Sequence, residues 1–160
     1  MSEGRLSHID EHGRARMVDV GDKPVNERRA AAEAVLVASA ATLDLIFDGG
    51  LPKGDAIGTA RLAGIMAAKK TSELIPLCHP LSLTDVTVDV SRSTTGARIR
   101  TTVRTADRTG AEMEAMTAAA VASLTLYDMV KGIERGVQVE RLRLLSKSGG
   151  RSGAWSAEAP

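Results

Sequence analysis

The chain has 160 residues and a mass of 16.8 kDa, which fits one compact domain. Hydrophobic residues make up 43% and charged residues 26%, a globular composition that excludes a disordered chain. Lys plus Arg (21) nearly cancels Asp plus Glu (20), so the net charge of +1 excludes the basic footprint of a general nucleic-acid or anionic-membrane binder.

No apolar run approaches the roughly 20 residues of a membrane helix. The opening residues, MSEGRLSHIDEHGRAR, are polar and lack a signal-peptide core. Cys78 is the only cysteine, which excludes an internal disulfide and reads as a cytoplasmic protein. Phe47, Tyr127 and Trp155 are the only aromatic residues, too few for a site built on base stacking. Arg outnumbers Lys 15 to 6. Each lysine therefore stands out, because an ammonium can give up a proton and a guanidinium practically cannot. The six are Lys23, Lys53, Lys69, Lys70, Lys131 and Lys147.

In chain order, residues 1–13 read as a mobile arm, 14–153 as a single domain and 154–160 as a tail. Arg14 to Val20 predicts a short strand. Residues 29–47 have helix-forming composition but contain the apolar run Ala34-Val35-Leu36-Val37. The reading is a strand to about Ala38, then a helix from Ala40 to Phe47 closed by Gly49-Gly50. Residues 55–74 read as a helix with Asp55 as N-cap and Pro76 as stop. Its small residues, among them Ala60, Gly64 and Ala68, permit close approach of another backbone. Residues 83–104 read as a β-hairpin, with Val86, Val88 and Val90 alternating against Asp85, Thr87 and Asp89. A long helix is expected over 111–133, with a stripe of Met113, Met116, Ala120, Leu124 and Tyr127. Val137 to Leu145 is a last strand, and 146–160 a Gly/Ser-rich stretch. Such an order predicts an α+β fold, with helices packed on one face of a mainly antiparallel sheet.

Three segments could carry chemistry. Cys78 and His79 follow a helix stop, but neighbours in an extended segment point to opposite sides, against a Cys–His catalytic pair. One cysteine and three histidines without ligand spacing also argue against zinc. A buried Cys and a surface His in a Pro-bounded turn stand beside His79 as proton donor or phosphate ligand. On the long helix, Glu112 and Glu114 suit the dipole at its start, and Asp128 and Lys131 at i,i+3 could be a solvated pair. Glu114 and Asp128 share a face yet stand ~21 Å apart along the axis. A small-molecule site containing both must combine opposite ends of this helix from two subunits. Finally, Lys53 precedes Gly54-Asp55, and Lys147 and Arg151 flank Gly149-Gly150. The latter stretch lacks P-loop order, but glycine backbone with interspersed cations can wrap a polyphosphate; a disordered terminus is the plainer reading of it.

Taken together, MVDVGDK (17–23), KGDAIGTARLAGIMAAKKTSELIPLCHPL (53–81), TGAEMEAMTAAAVASLTLYDMVKG (109–132) and RLLSKSGGRSG (143–153) closely resemble the bacterial cyclic pyranopterin monophosphate synthases of molybdenum cofactor biosynthesis. The resemblance spans most of the chain in the family's order. One departure is Arg151, where many members have Lys; a phosphate contact survives that change and proton transfer does not.

The resemblance implies a ferredoxin-like α+β fold and a homo-hexamer, a trimer of dimers with active sites at subunit interfaces. It implies a lyase acting on 3',8-cyclo-7,8-dihydro-GTP, supplied by a radical enzyme with which the hexamer would make transient contact. The product is cyclic pyranopterin monophosphate and the leaving group pyrophosphate, with no cofactor or metal required. Substrate-contact motifs fall on Leu77, Cys78, His79, Met113 and Glu114, and the catalytic aspartate on Asp128 with Lys131 beside it. Lys53, Glu112 and Lys147 match other active-site positions, and Asp19 a weaker one. In this reading Asp128 orients and tunes Lys131, a desolvated general acid/base whose role Lys53 shares. His79, Lys147 and Arg151 hold the triphosphate, and Glu112 or Glu114 takes the guanine-derived edge. The competing readings are a GTP cyclohydrolase, whose Cys/His zinc ligands are missing, and a non-catalytic nucleotide-binding oligomer or inactive paralogue.

Overall fold

The computed structural model describes residues 9–151 and 153–157. In chain order the elements are β1 (Asn26–Val37), α1 (Ala40–Phe47), α2 (Ala56–Lys69), α3 (Thr71–Leu74), β2 (Leu83–Arg92), β3 (Gly96–Asp107), α4 (Glu112–Val130), β4 (Gln138–Ser148) and β5 (Trp155–Ser156). The five strands form one sheet in the order β2-β3-β1-β4-β5, every neighbouring pair antiparallel. This is the expected α+β, ferredoxin-like arrangement.

The strand β1 overrides the helix propensity of its Ala-rich sequence because it is central and buried on both faces from Ala30 to Leu36. Ala30, Ala32 and Ala34 pack with Ala111, Ala115 and Ala119 of the α4 segment, where small side chains let helix and sheet approach closely. A second cluster gathers Leu36, Val88 and Ile99 of the sheet with Leu126 and Val130 of α4. Between α2 and α4 the spacer is Gly64. A Cβ there would lie 3.0 Å from the Ala118 carbonyl oxygen and 3.2 Å from the Ala122 Cβ. Gly64→Val is therefore expected to cost about 1–3 kcal/mol through overpacking, read as a lower thermal midpoint.

Several boundaries differ from the sequence reading. Arg14 to Val20 is not a strand: the segment joins only an isolated bridge between Ile9 and Ala15 and pairs with none of the five strands. The helix over 55–74 is two. Asp55 caps α2 as expected, accepting from the Gly58 N–H at 2.8 Å, but the ladder breaks at Lys70. There the buried Thr71 hydroxyl bonds back to the Ala68 carbonyl at 3.1 Å. The expected stripe of α4 meets the core only in part: Met116 and Tyr127 are half-buried against it, Met113 and Leu124 are exposed, and the fully buried face is Ala115, Ala118, Ala119, Ala122 and Leu126. The Gly/Ser-rich stretch is partly ordered: β4 runs on to Ser148, and Trp155–Ser156 returns to pair with Ser146 and Lys147. Residues 1–8 of the expected arm, and residues 152 and 158–160, lie outside the described residues.

Candidate active site

The sequence-identified residues fall into two groups at opposite ends of α4. At its start lies a cleft of about 370 Å³ whose wall includes Leu77, Cys78, His79, Glu112, Met113 and Glu114. Pro76 ends the α3 region, and the extended turn after it carries Leu77, Cys78 and His79, all half-buried, to the α4 N-terminus. Contrary to the alternation argument, Cys78 and His79 border the same cavity, because this segment belongs to no strand. Burial and the nearby Glu114 push the Cys78 thiol up, which makes it a poor nucleophile.

The same cleft continues through Lys23, Thr109, Gly110 and Glu112 into a basin of about 300 Å³ lined also by Arg28, Arg108, Lys147 and Arg151. The Lys147 ammonium donates to Glu112 Oε1 at 2.9 Å. Glycines make this junction: Gly149 and Gly150 have φ of +93° and +72°, and a Cβ on either would collide with Glu27 or Arg28. They let the chain turn against the start of β1 and bring Lys147 and Arg151 to one basin. Arg28 is itself anchored, donating from Nε to the Asp107 carbonyl at 2.9 Å and from Nη2 to that of Arg108 at 3.0 Å.

Glu114 differs from Glu112. It is 4% exposed and no described Lys or Arg pairs with it. Burial, reinforced by the Glu112 charge, pushes its carboxyl up to about 7. Glu114 is thus the group placed to exchange a proton near neutrality.

At the far end of α4, Asp128 sits between two lysines. Lys53, on the loop before α2, donates to Asp128 Oδ2 at 2.8 Å and to its carbonyl at 2.6 Å. Lys131, at the α4 C-cap, lies 2.6 Å from Oδ1. Hydrogen bonds from Lys131 and Lys53 hold the Asp128 carboxyl down at about 2, and Asp128 in turn raises the Lys131 ammonium. The expectation of a desolvated lysine brought toward neutrality therefore does not describe the single chain. Lys131 is 54% exposed, and the Asp128 carboxylate beside it favours its protonated form. Because the Asp128 value is depressed, its stabilisation is present above 3.8 and is lost as pH falls through about 2. The thermal-midpoint difference between wild type and Asp128→Asn is expected to stay constant from pH 5 to 9 and to close in strong acid.

Asp19 is not brought to the cleft; its Oδ1 accepts from the Gly21 N–H at 2.8 Å while Val18 and Val20 beside it line the wall. Sequence reading missed Arg28 and Arg108 as basin residues and gave Lys23 no role. The available signal was charge near glycine at strand ends, which is common on any surface.

The MoaC family model matches residues 17–150. The chain belongs to the MoaC family. It is 55% identical over 153 residues to cyclic pyranopterin monophosphate synthase 2 of Mycobacterium tuberculosis (strain H37Rv), covering 96% of this chain and 92% of that one. It is 53% identical over 159 residues to the cyclic pyranopterin monophosphate synthase of Brucella ovis, covering 98% and 96%. The matched span of the MoaC family holds both groups of residues described above, from Lys53 to Lys147, and leaves Arg151 just beyond its end. Among the described residues no helix is long and apolar enough to cross a membrane.

Proposed function

We propose that this chain is a cyclic pyranopterin monophosphate synthase of molybdenum cofactor biosynthesis, a cytoplasmic lyase that converts 3',8-cyclo-7,8-dihydro-GTP to cyclic pyranopterin monophosphate and pyrophosphate. The reaction is redox-neutral. A substrate hydroxyl oxygen bonds to the α-phosphorus as the bond to pyrophosphate breaks, and the hydroxyl proton passes to a base. Opening the purine five-membered ring and closing the pyran ring require further proton transfers.

The observation that carries this reading is Asp128 held between the Lys53 and Lys131 ammonium groups, opposite a cleft with a near-neutral Glu114. Lys131 acts first as general acid, since Asp128 favours its charged form; once its proton is given up, the amine is a base. Lys53 shares this work. The basin of Lys147 and Arg151 takes the triphosphate with His79 and stabilises charge as pyrophosphate leaves. Glu112, paired with Lys147, and Glu114 face the guanine-derived edge. Both ends of α4 serve one substrate only if subunits share the site, which favours a homo-hexamer built as a trimer of dimers with active sites at its interfaces. Transient contact with the radical enzyme that supplies the substrate would follow.

The test is incubation of purified, metal-stripped protein with enzymatically made cyclised dihydro-GTP. Pyrophosphate release and the fluorescent oxidised pterin are both expected, and Asp128→Asn abolishes both. Substrate binding without either signal would mean a non-catalytic nucleotide-binding oligomer or an inactive paralogue.

A further inference from the structure

We propose that Glu134 is a positioning residue for the reaction. Its carboxylate ties the start of α1 to the end of α4, and through α1 it holds Lys53 against Asp128 and Lys131. The inference rests on the synthase reading above and adds a residue outside the site that keeps the site assembled.

Lys53 and Lys131 reach Asp128 from different parts of the chain. Lys131 comes with α4 itself, as its C-cap, its N–H bonded to the Tyr127 carbonyl at 2.9 Å. Lys53 comes on the loop between α1 and α2, so its aim depends on where α1 ends. That connection is short and folded. The Asp48 N–H bonds to the Asp44 carbonyl at 2.8 Å, that of Gly50 to Leu45 at 3.0 Å, and that of Gly54 to Leu51 at 3.0 Å. Leu51 packs in the same cluster as Leu43 and Ile46 of α1, so helix and loop move as one unit.

Packing alone holds this unit lightly. The helix α1 has 8 residues, of which only Thr42, Leu43 and Ile46 are buried. An isolated helix so short is not stable in water. Its first turn carries no acidic residue to meet the helix dipole. Glu134 supplies that charge from 95 residues away. Its Oε2 accepts from the Ser39 N–H at 3.1 Å and from the Ser39 hydroxyl at 2.9 Å. Ser39 is the α1 N-cap, and its Oγ accepts in turn from the Thr42 N–H at 3.3 Å.

On its own backbone Glu134 is fixed to α4, donating from its N–H to the Val130 carbonyl at 3.1 Å in the turn that follows Lys131. Among the described residues no Lys or Arg forms an ion pair with it. Hydrogen bonds from Thr42 and Ser39 hold its carboxyl below the usual carboxylate range, so it stays charged near neutrality. The links close a ring. Along α4 they run from Asp128 to Glu134, then across to Ser39, along α1 to Lys53, and back to Asp128. Cutting the ring at Glu134 leaves Lys53 held to Asp128 by an ion pair whose side chains are 46% and 55% exposed. Such a pair is too weak to fix a helix.

The test compares Glu134→Ala and Glu134→Gln with wild type in the full chain. With enzymatically made cyclised dihydro-GTP, Glu134→Ala is expected to lower kcat about 10- to 100-fold, the scale of a misplaced catalytic group. KM stays within about threefold of wild type, because the triphosphate basin is untouched. Glu134→Gln keeps an oxygen for the Ser39 donors and is expected to recover most of kcat. By hydrogen exchange, amides of residues 48–54 are expected to exchange about tenfold faster in Glu134→Ala, while the sheet and α4 keep wild-type rates. Wild-type kcat in Glu134→Ala, or unchanged exchange over 48–54, would overturn the proposal and leave the synthase reading standing. Faster exchange across the whole fold, or no recovery in Glu134→Gln, would overturn it too. A wild type without turnover would overturn the synthase reading and the clamp's catalytic role together, with exchange over 48–54 still deciding whether Glu134 holds the Lys53 loop.

Discussion

Lys131→Ala is expected to lower turnover about 10²–10⁴-fold while leaving the fold intact, the range for loss of a positioned proton-transfer group. The side chain is 54% exposed and is held in place by Asp128, so it supports no core packing. Its removal takes away an acid whose proton Asp128 secures, and it leaves Asp128 with Lys53 as remaining partner. Lys131→Arg is the informative companion. A guanidinium restores the charge opposite Asp128 but does not release a proton at working pH, so the ion pair returns and turnover does not. Single-turnover kinetics with the cyclised dihydro-GTP substrate, alongside thermal midpoints, separate the two. Turnover of Lys131→Ala within tenfold of wild type would remove this lysine from acid/base duty.

Arg143→Ala is expected to destabilise the fold by about 3–5 kcal/mol, because it strips a buried carboxylate of its best partner. Glu33 projects from the central strand opposite the helix-covered face, yet it is only 2% exposed. Arg143 Nε reaches its Oε1 at 2.8 Å and Arg98 Nε its Oε2 at 3.3 Å. Loss of Arg143 leaves one charge buried against a single, longer contact. At about 2–4 °C per kcal/mol, the thermal midpoint falls by roughly 10 °C. Removing both charges together, Glu33→Leu with Arg143→Leu, should recover most of that loss, since no buried charge remains and Arg98, which loses its partner, is half exposed to water. A double variant no more stable than Arg143→Ala would show that the arginine acts through packing alone.

How legible this molecule is from its sequence depends on which force decides each element. The hairpin is written in the alternation of valines with aspartates and threonines, and the turn to β1 and α1 at Ala38 was readable from an apolar run meeting a helix former. The α4 stripe met the core only in part because an Ala-rich helix can bury either face; the choice fell to the alanines of β1, which accept only alanines at such close range. Val18 and Val20 alternate as in a strand, but they pair with none of the strands and line the cleft instead, and pairing is not a local property. At the site, the Asp128–Lys131 spacing was visible in one helix. The arrival of Lys53 at the same carboxylate, 75 residues away in sequence, depends on the fold. The environment that leaves Glu114 without a cation is equally a product of tertiary burial.

The bulge in β4 also bears on how the protein avoids self-association of the wrong kind. Pairing with β1 shifts between Glu33 and Val35, and Arg141 sits there at φ +59°, in the left-handed region. On the outer side, among the described residues, β5 pairs with Ser146 and Lys147, and the Ala157 N–H donates to the Leu145 carbonyl at 2.8 Å. The remainder of this edge presents a kinked backbone among Glu140, Arg141 and Arg143 instead of a flat row of free amides and carbonyls. A foreign strand meeting it cannot continue the ladder past the kink and must bury charge in the attempt. Straightening that edge, for instance by deleting one residue of the bulge, would give the sheet a surface on which fibrous growth could start.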